Sequence, residues 1–403
     1  MRMDVNFSNS EIKRKILEDK YNSIIFKTKK DPEVYIVGGY IRDTLLGRKS
    51  LDRDYVAKGN FQRILKEIAD RANRKIIRIG KKGLFRIVLE NGQMFDFMPF
   101  NKDIENDLSL RDFTINSLAW SPESGIIDVK NGIKDLSKKC IRMTNKKNLI
   151  DDPVRIIRAY RLADELSFSI EPETRKSLKE FGGLLEYAKS ERITLEFYRI
   201  INSKNSLKTL KLLFKDGILN QIISLSFNRI EENHKAIYKL NKIFNKLPLK
   251  YIFKIDSNFS QNLLYRGLLV LEILLSGMPD NRLNKSSKIN KHLEKLERAN
   301  NLYIKNQKKI NKELLYEIFK LSGEASFDFL ILNNLIRFLP DLEKYNMMRK
   351  KGVLTSEEII KITKKNQGRD LGIIIDYIKK AQFTDKVRCK REAIEFLKGI
   401  DIK

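Results

Sequence analysis

Cysteine is nearly missing from this chain of 403 residues. Cys140 and Cys389 are the only two, and neither stands in a C-x-x-C spacing, so neither a disulfide framework nor a cysteine zinc cluster is on offer. A reducing cytoplasm is the expected setting. Histidine is as scarce: His234 and His292 lie far apart among lysines, which argues against a histidine-based metal or general-base site. Long apolar runs are also lacking. The greasiest stretch, residues 268–278, carries Glu272 and is too short to span a bilayer, so it is expected as a buried helix. Residues 1–20 mix both signs of charge and have no apolar signal-peptide core. There is no internal repeat, no low-complexity tract and no H-D pair of the kind that marks an appended phosphohydrolase domain. The last shortage is of acid: 52 Asp and Glu face 80 Lys and Arg, a formal net charge of +28. An AT-rich genome would enrich Lys, Ile and Asn, but it would not unbalance the sign. Such a surplus points to a polyanionic partner, nucleic acid before others.

What is present suits more than one folded domain, since the length exceeds one core and 42% of residues are apolar. Glycine and proline crowd the N-terminal part and thin out after Gly183, so an α/β domain followed by a long helical one is expected. The chain is organised around residues 34–56. Val34, Tyr35, Ile36 and Val37 read as a buried strand that stops at Gly38 and Gly39, where the backbone can turn sharply and approach a ligand. A short helix over 40–46 follows, with Gly47 as its stop signal and Arg48 and Lys49 beyond. An extended segment then carries Asp52 and Asp54, whose i, i+2 spacing puts both carboxylates on one face of a strand. Like charges so placed are costly unless a cation sits between them, and a hard divalent ion, Mg²⁺ above all, fits oxygen ligands. With the glycine turn, Arg42 and Lys49 beside it, the stretch reads as a site for a metal-bound triphosphate. D-x-D alone would more often be two solvated aspartates; G-G-x-x-R-D-x-x-L-G-R in front of it overturns that.

Around this segment, residues 11–29 read as a leading helix and 61–72 as an amphipathic one, with Ile64, Leu65, Ile68 and Ala72 on one face. Strands are expected at 75–79, 84–89 and 94–98, the last two joined at Asn91-Gly92. Asp96, flanked by Phe95 and Phe97, can face the same side as Asp52 and Asp54 as a third carboxylate, a reading balanced against a simple exposed alternation residue. In 108–120, LSLRDFTINSLAW, the groups of Arg111, Asp112 and Asn116 fall within about a helical turn beside apolar Phe113, Ile115 and Leu118, a combination suited to ribose and phosphates. Residues 126–129 and 141–143 read as closing strands about a turn at Asn131-Gly132. From Asp151 on the reading is helical almost to the end. Asp151 or Asp152 is expected to N-cap a helix with Pro153 at its first position, while Asp152 and Arg155 stay neighbours on the helix surface, with Arg158 and Arg161 continuing the basic side. Glu191, Arg192, Glu196 and Arg199 read as a salt-bridged helix face. Leu207, Leu210, Phe214 and Ile218 mark a helix ending at Asp216-Gly217, residues 239–250 and 281–312 are basic runs, 284–312 is the expected flexible joint, and 368–378 opens another amphipathic helix.

Four blocks in order, GGYIRDTLLGRKSLDRD, LRDFTINSLA, DDPVRIIRAYRLADELSFSIEPET and ERITLEF, resemble the class II tRNA nucleotidyltransferase and bacterial poly(A) polymerase family. The match covers roughly the first half of the chain. It implies an α+β protein: a nucleotidyltransferase head with a mixed sheet (1–146), then an all-α neck that recognises the base (147–205), a body (206–295) and a tRNA-binding tail (296–403). It implies that Asp52 and Asp54 hold Mg²⁺, beside which Asp96 stands as the candidate third catalytic carboxylate from its strand position, and that Gly38, Gly39 and Arg42 grip the triphosphate. Arg111, Asp112 and Asn116 would handle ribose and phosphates, and Asp152 and Arg155, continued by Arg158 and Arg161, would read the base with no nucleic-acid template. The implied reaction is template-independent addition of CMP and AMP from CTP and ATP to the 3′ end of tRNA, by a nucleotide- and RNA-binding cytoplasmic enzyme with neither DNA nor a membrane as partner. Three departures stand out. Leu110-Arg111 replaces the family's paired arginines, Asp151 replaces the glutamate before the template aspartate, and the stretch 100–106 is short where CCA-adding members carry a longer loop, which favours CC addition. A poly(A) polymerase and a catalytically dead structured-RNA-binding protein remain open as alternatives.

Overall fold

The computed structural model describes residues 8–27, 32–80, 83–100, 102–224, 226–277, 281–365 and 368–399, and the chain divides into two units, Met1–Ser224 and Leu225–Lys403. The first begins with α1 (Asn9–Leu17) and α2 (Lys20–Ile25), then alternates strands and helices: β1 (Glu33–Val37), α3 (Gly39–Leu45), β2 (Asp52–Lys58), α4 (Gln62–Ala72), β3 (Ile77–Ile79), β4 (Leu84–Val88), β5 (Met94–Pro99) and α5 (Ile104–Ser109). It continues with β6 (Ala119–Ser121), β7 (Gly125–Ile127), α6 (Gly132–Ser137) and β8 (Cys140–Ile141). The strands β1 to β7 form one mixed sheet in the order β3-β4-β5-β2-β1-β6-β7, with β2 and β5 parallel and the remaining neighbours antiparallel.

Alternation along β2 gives this sheet two different faces. Arg53, Tyr55 and Ala57 are buried on one of them, where Tyr55 stacks on Phe97 with ring centroids 4.5 Å apart and donates its hydroxyl to Asn22 of α2. Arg53 pairs there with Asp19. Asp52, Asp54 and Val56 point the other way. The leading helices therefore act as a lid on the apolar face, and the acids are left to the opposite one.

Helices dominate the rest of the unit: α7 (Lys146–Asp151), α8 (Val154–Leu166), α9 (Pro172–Glu180), α10 (Ser190–Ile201) and α11 (Ser206–Lys215), with β9 (Ser169–Ile170) pairing in parallel with β8. Asp216 binds α8 and α9 to the end of α11, accepting from Tyr160 at 2.9 Å and from both ends of the Arg175 fork at 2.8 Å. The second unit holds α12 (Phe227–Phe244), α13 (Leu249–Ile255), a small hairpin of β10 (Asn258–Ser260) and β11 (Leu263–Leu264), α14 (Tyr265–Leu275), α15 (Ser287–Lys305), α16 (Lys312–Ser322), α17 (Ser326–Leu332), α18 (Leu339–Lys350), α19 (Ser356–Thr363), α20 (Arg369–Phe383) and α21 (Lys390–Lys398). Its greasy α14 is buried along nearly its whole length, as expected; residue 278 lies outside the described residues. A separate cluster of Leu354, Ile359, Leu371, Ile374 and Ile378 forms where α19, α20 and α21 meet.

Several expectations need correction. The leading helix is two helices, because the Asp19 carboxylate accepts from the Tyr21 and Asn22 N–H groups and restarts the chain; residues 28 and 29 lie outside the described residues. The segment after Arg111 is not an α-helical turn. Asp112 Oδ1 accepts from Phe113 N–H and the Asn116 amide, so only a short 3₁₀ turn, Thr114–Asn116, forms before β6. Residues 126–129 and 141–143 do not close on each other: the Asp128 carboxylate accepts from Gly132 and Ile133 N–H and starts α6, while β8 pairs with β9. Gly132 is obligatory there, since a Cβ would stand 2.2 Å from the Thr114 carbonyl oxygen. Asp152 caps no helix through its side chain, as α8 begins after Pro153 without a side-chain cap. The expected joint at 284–312 contains the 19-residue α15, seated by Ile289, Leu296, Ala299 and Tyr303.

Candidate active site

The carboxylates come first. Asp52 is exposed and Asp54 half-buried on the same face of β2, and neither side chain accepts a hydrogen bond or ion pair among the described residues. Asp96 lies on the adjacent β5 in direct register with Asp54. Burial raises the pKa of both Asp52 and Asp54, and the neighbouring Asp96 charge adds to it; Arg199 opposes the rise at Asp52 and Arg111 opposes it at Asp54. Such a pair of oxygen donors with no protein partner fits a hard divalent cation. Asp96 differs. Arg86 of β4 engages both its oxygens, at 2.7 and 2.6 Å.

Next to the acids the chain turns at Gly38 with φ 74°, in the region glycine alone enters easily. A Cβ there would lie 3.0 Å from Arg111 Nη1 and 3.8 Å from Asp54 Oδ2, so the missing side chain is what lets the arginine and the acid approach the turn together. At Gly39 a Cβ would stand 3.5 Å from the Arg42 guanidinium. Arg111 is aimed by Asp107, which accepts from Nε at 3.1 Å and Nη2 at 2.9 Å. Arg42 donates from Nη1 to Asn116 Oδ1 at 2.7 Å, and the Asn116 amide donates to Asp112 at 3.0 Å. Asp112 also meets Arg158 Nε at 2.7 Å. Burial alone would raise the Asp112 pKa, but Arg158, Asn116 and the Phe113 N–H outweigh it and hold the group low. One continuous polar string thus runs from the glycine turn to α8.

Along α8 and the turn before it the predicted residues part company. Asp152 receives a two-pronged bond from Arg192 of α10, 2.8 Å at each oxygen, and lies 3.7 Å from Arg155 Nε. Arg155 also donates to the Asn148 carbonyl at 3.1 Å. Arg161 is not brought to this group: it is buried and boxed between Glu165 and Glu196, so its guanidinium ties α8 to α10. Arg86, Arg192, Glu196 and Asn148 escaped the sequence reading as members of the site. Arg192 and Glu196 were expected on a salt-bridged helix face, and both are salt-bridged, to Asp152 and to Arg161; the identity of those partners, which come from the segment before α8 and from α8, had no local signal. For Arg86 no local signal exists, because its partner comes from the next strand. Asn148, buried and donating to the Ser109 and Arg111 carbonyls, anchors the backbone beneath Arg111.

A second group of acids sits in the other unit. His292 of α15 lies 3.4 Å from Glu272 Oε1 of α14 and hydrogen-bonds Asp328 of α17, all three buried. These three offer ligand atoms within 4.8 Å of one another, a gathering that the sequence distance between the histidines gave no reason to expect.

Comparison with known proteins agrees with the head and its helical continuation. The Poly A polymerase head domain model matches residues 34–101 and 95–142, and the model described as the probable RNA and SrmB-binding site of polymerase A matches 167–225. The chain is 33% identical over 192 residues to the CC-adding tRNA nucleotidyltransferase of Synechocystis, covering 47% of this chain and 46% of that protein. It is 29% identical over 381 residues to the A-adding tRNA nucleotidyltransferase of Aquifex aeolicus, 86% of this chain and 44% of that one. It thus spans about half the length of the curated relatives it matches. The fold is that of the Thermotoga maritima CCA-adding enzyme solved with tRNA, with TM-score 0.73, 22% identity and coverage of 97% of this chain and 98% of that one. Among the described residues no helix is long and apolar enough to cross a membrane. The Poly A polymerase head domain match takes in the glycine turn and the β2 strand that carries Asp52 and Asp54, so the N-terminal part of this chain is similar to the head of that family and to these tRNA nucleotidyltransferases.

Proposed function

We propose that this chain is a cytoplasmic, template-independent nucleotidyltransferase that extends the 3′ end of tRNA with CMP from CTP, releasing pyrophosphate. The observation that carries the proposal is the polar string from the glycine turn through Arg42, Asn116, Asp112 and Arg158 to α8, which joins a phosphate-gripping corner to a base-facing helix. Asp52 and Asp54 are the residues that would hold Mg²⁺, whose chemistry is to lower the charge on the phosphates and favour an ionised 3′-hydroxyl. Gly38 and Gly39 let the triphosphate approach the backbone, Arg42 and Arg111 orient it by charge-assisted hydrogen bonds, and the low pKa of Asp112 keeps that acid charged as the pivot of the string. Asp96 completes the acidic face. Asp152, held by Arg192 beside Arg155, offers an acceptor next to donors, which matches the Watson-Crick edge of cytosine or adenine and leaves guanine mismatched. Arg158 belongs to this reading; Arg161 enters it only by tying α8 to α10. The division into head, neck, body and tail, with the basic second half taking the acceptor stem and elbow of tRNA by shape, is part of the same proposal.

Only four residues separate β5 from α5, and Asp103 already caps the helix. That short connection favours two cytidines as the product. The experiment is to offer tRNA lacking three, two or one terminal nucleotides with CTP alone, ATP alone or both, and to size the products. Two residues from CTP and none from ATP are expected. A third residue from ATP would make it a complete CCA enzyme, and a long ladder from ATP on any RNA would make it a poly(A) polymerase.

A further inference from the structure

The acidic face contains three carboxylates, yet only two of them lack a partner. Arg86 lies directly across the β4/β5 ladder from Asp96, and its fork meets both oxygens. The two side chains are only 32% and 16% exposed, so their attraction is less screened than at an open surface. Asp96 is in turn the register neighbour of Asp54, so the row reads arginine, acid, acid across three strands. The first two members cancel in charge, and what remains uncompensated is Asp52 and Asp54.

We propose that Arg86 is a positioning residue that withholds Asp96 from the metal: Asp96 balances Arg86, and the cation is held by Asp52 and Asp54 alone among the protein's carboxylates. This rests on the reading of the site as metal-dependent. It replaces a direct role for Asp96 with one exercised through charge. Removing Asp96 strands a guanidinium beside the pair and repels a cation; removing Arg86 frees a third negative charge and attracts one; removing both restores the original balance.

The test is Mn²⁺ binding to the full chain without nucleotide, read from the loss of the free-ion electron paramagnetic resonance signal. Asp96→Asn should weaken binding about tenfold or more and Arg86→Met should tighten it about tenfold, from one unit of charge within a few strand spacings of a divalent ion. The double variant should return to within about threefold of the unaltered protein. If it stays as weak as Asp96→Asn, Asp96 is a ligand and the assignment is wrong; if neither single variant moves the affinity, Arg86 has no such role. Melting curves of all three variants show that the comparison is made on folded protein. Loss of Mn²⁺ binding in Asp52→Ala checks the underlying reading separately, and an unaltered chain that binds no Mn²⁺ would overturn that reading and this one together.

Discussion

Two pairs of acids, one in each unit, meet the same problem of like charges held close and solve it in opposite ways. Asp52 and Asp54 face outward from β2 with no bonding partner among the described residues. Glu272 and Asp328 are sealed between three helices with His292 against both, and Lys254 of α13 adds its charge toward Asp328. Burial pushes Glu272 up to about 8; it would depress His292, but Asp328 and Glu272 outweigh it and hold His292 up to about 9. The second pair thus keeps its own proton and its own cation, and knits α14, α15 and α17 together. The first has neither, which on the proposed reading leaves it to an ion from outside. An acidic pair therefore reads as a reactive site where the protein withholds the counter-charge, and as a structural clamp where it supplies one. The largest effect that could break this contrast is the loss of one outward acid: Asp52→Ala or Asp54→Ala should cut CMP incorporation by at least about a thousandfold, since the ion supplies several kcal/mol of charge stabilisation. The melting temperature should hold or rise, because a repulsion is relieved. Full incorporation in either variant would remove the distinction between the two pairs.

The converse applies to the clamp. His292→Leu leaves two buried carboxylates without their imidazole and should cost about 3 kcal/mol of stability in the second unit, read by denaturant unfolding, while CTP binding by the first unit is unchanged. A gentler version uses pH. Both raised groups hold in the folded state a proton that the unfolded chain releases sooner, His292 between about 6.5 and 9 and Glu272 between about 4.5 and 8. Their stabilisation is therefore fully present on the acid side and fades as the pH climbs, by about 1 kcal/mol per pH unit for each proton in its window. Unfolding midpoints measured from pH 6 to 9 should fall in the unaltered chain and fall less in Glu272→Gln, which removes one of the two protons and part of what raises His292. A flat profile in the unaltered protein would show that the cluster carries no such linkage.

The outward site was legible in the sequence because most of it is local. Strand alternation put Asp52 and Asp54 on one face, two glycines marked the turn, and Arg42 stands one helical turn later, all within 23 residues of chain. Arg111, Asp112 and Asn116 were found as a group, though the local conformation is a 3₁₀ turn, since Asp112 takes the donors a helix would have used. What stayed hidden depends on pairing between distant segments. Arg86 meets Asp96 only because β4 returns beside β5, Arg192 meets Asp152 only because α10 packs on α8, and Glu272, His292 and Asp328 share no spacing at all. Arg161 shows the same limit from the other side: it continues the basic edge of α8 on paper, but the partners that bury it come from a turn later on that helix and from α10. An α/β part with a helical continuation followed from composition and period and the mixed sheet from the resemblance alone, whereas the segment expected to flex is a long helix because its apolar residues recur at helical spacing beneath the lysines.

The smallest expected effect tests whether a supplied counter-charge can orient an acid without closing it off. Arg192 grips both oxygens of Asp152, but its side chain is 53% exposed, so the pair should be worth only about 0.2–1 kcal/mol to folding. Its value would lie in direction. With Arg192 removed, Asp152 retains among the described residues only the more distant Arg155 at 3.7 Å and gains freedom to rotate, and an acceptor that rotates discriminates poorly between base edges. Arg192→Gln should therefore leave the melting temperature within about 2 °C of the unaltered protein. The preference for CTP over GTP, taken as the ratio of kcat/KM values, should fall by about three- to tenfold, one buried-quality hydrogen bond's worth of selectivity. Arg192→Lys should recover the charge but not the two-pronged geometry, and land between the two. An unchanged CTP preference in Arg192→Gln would mean that Asp152 is held by other contacts, or that the base is read elsewhere.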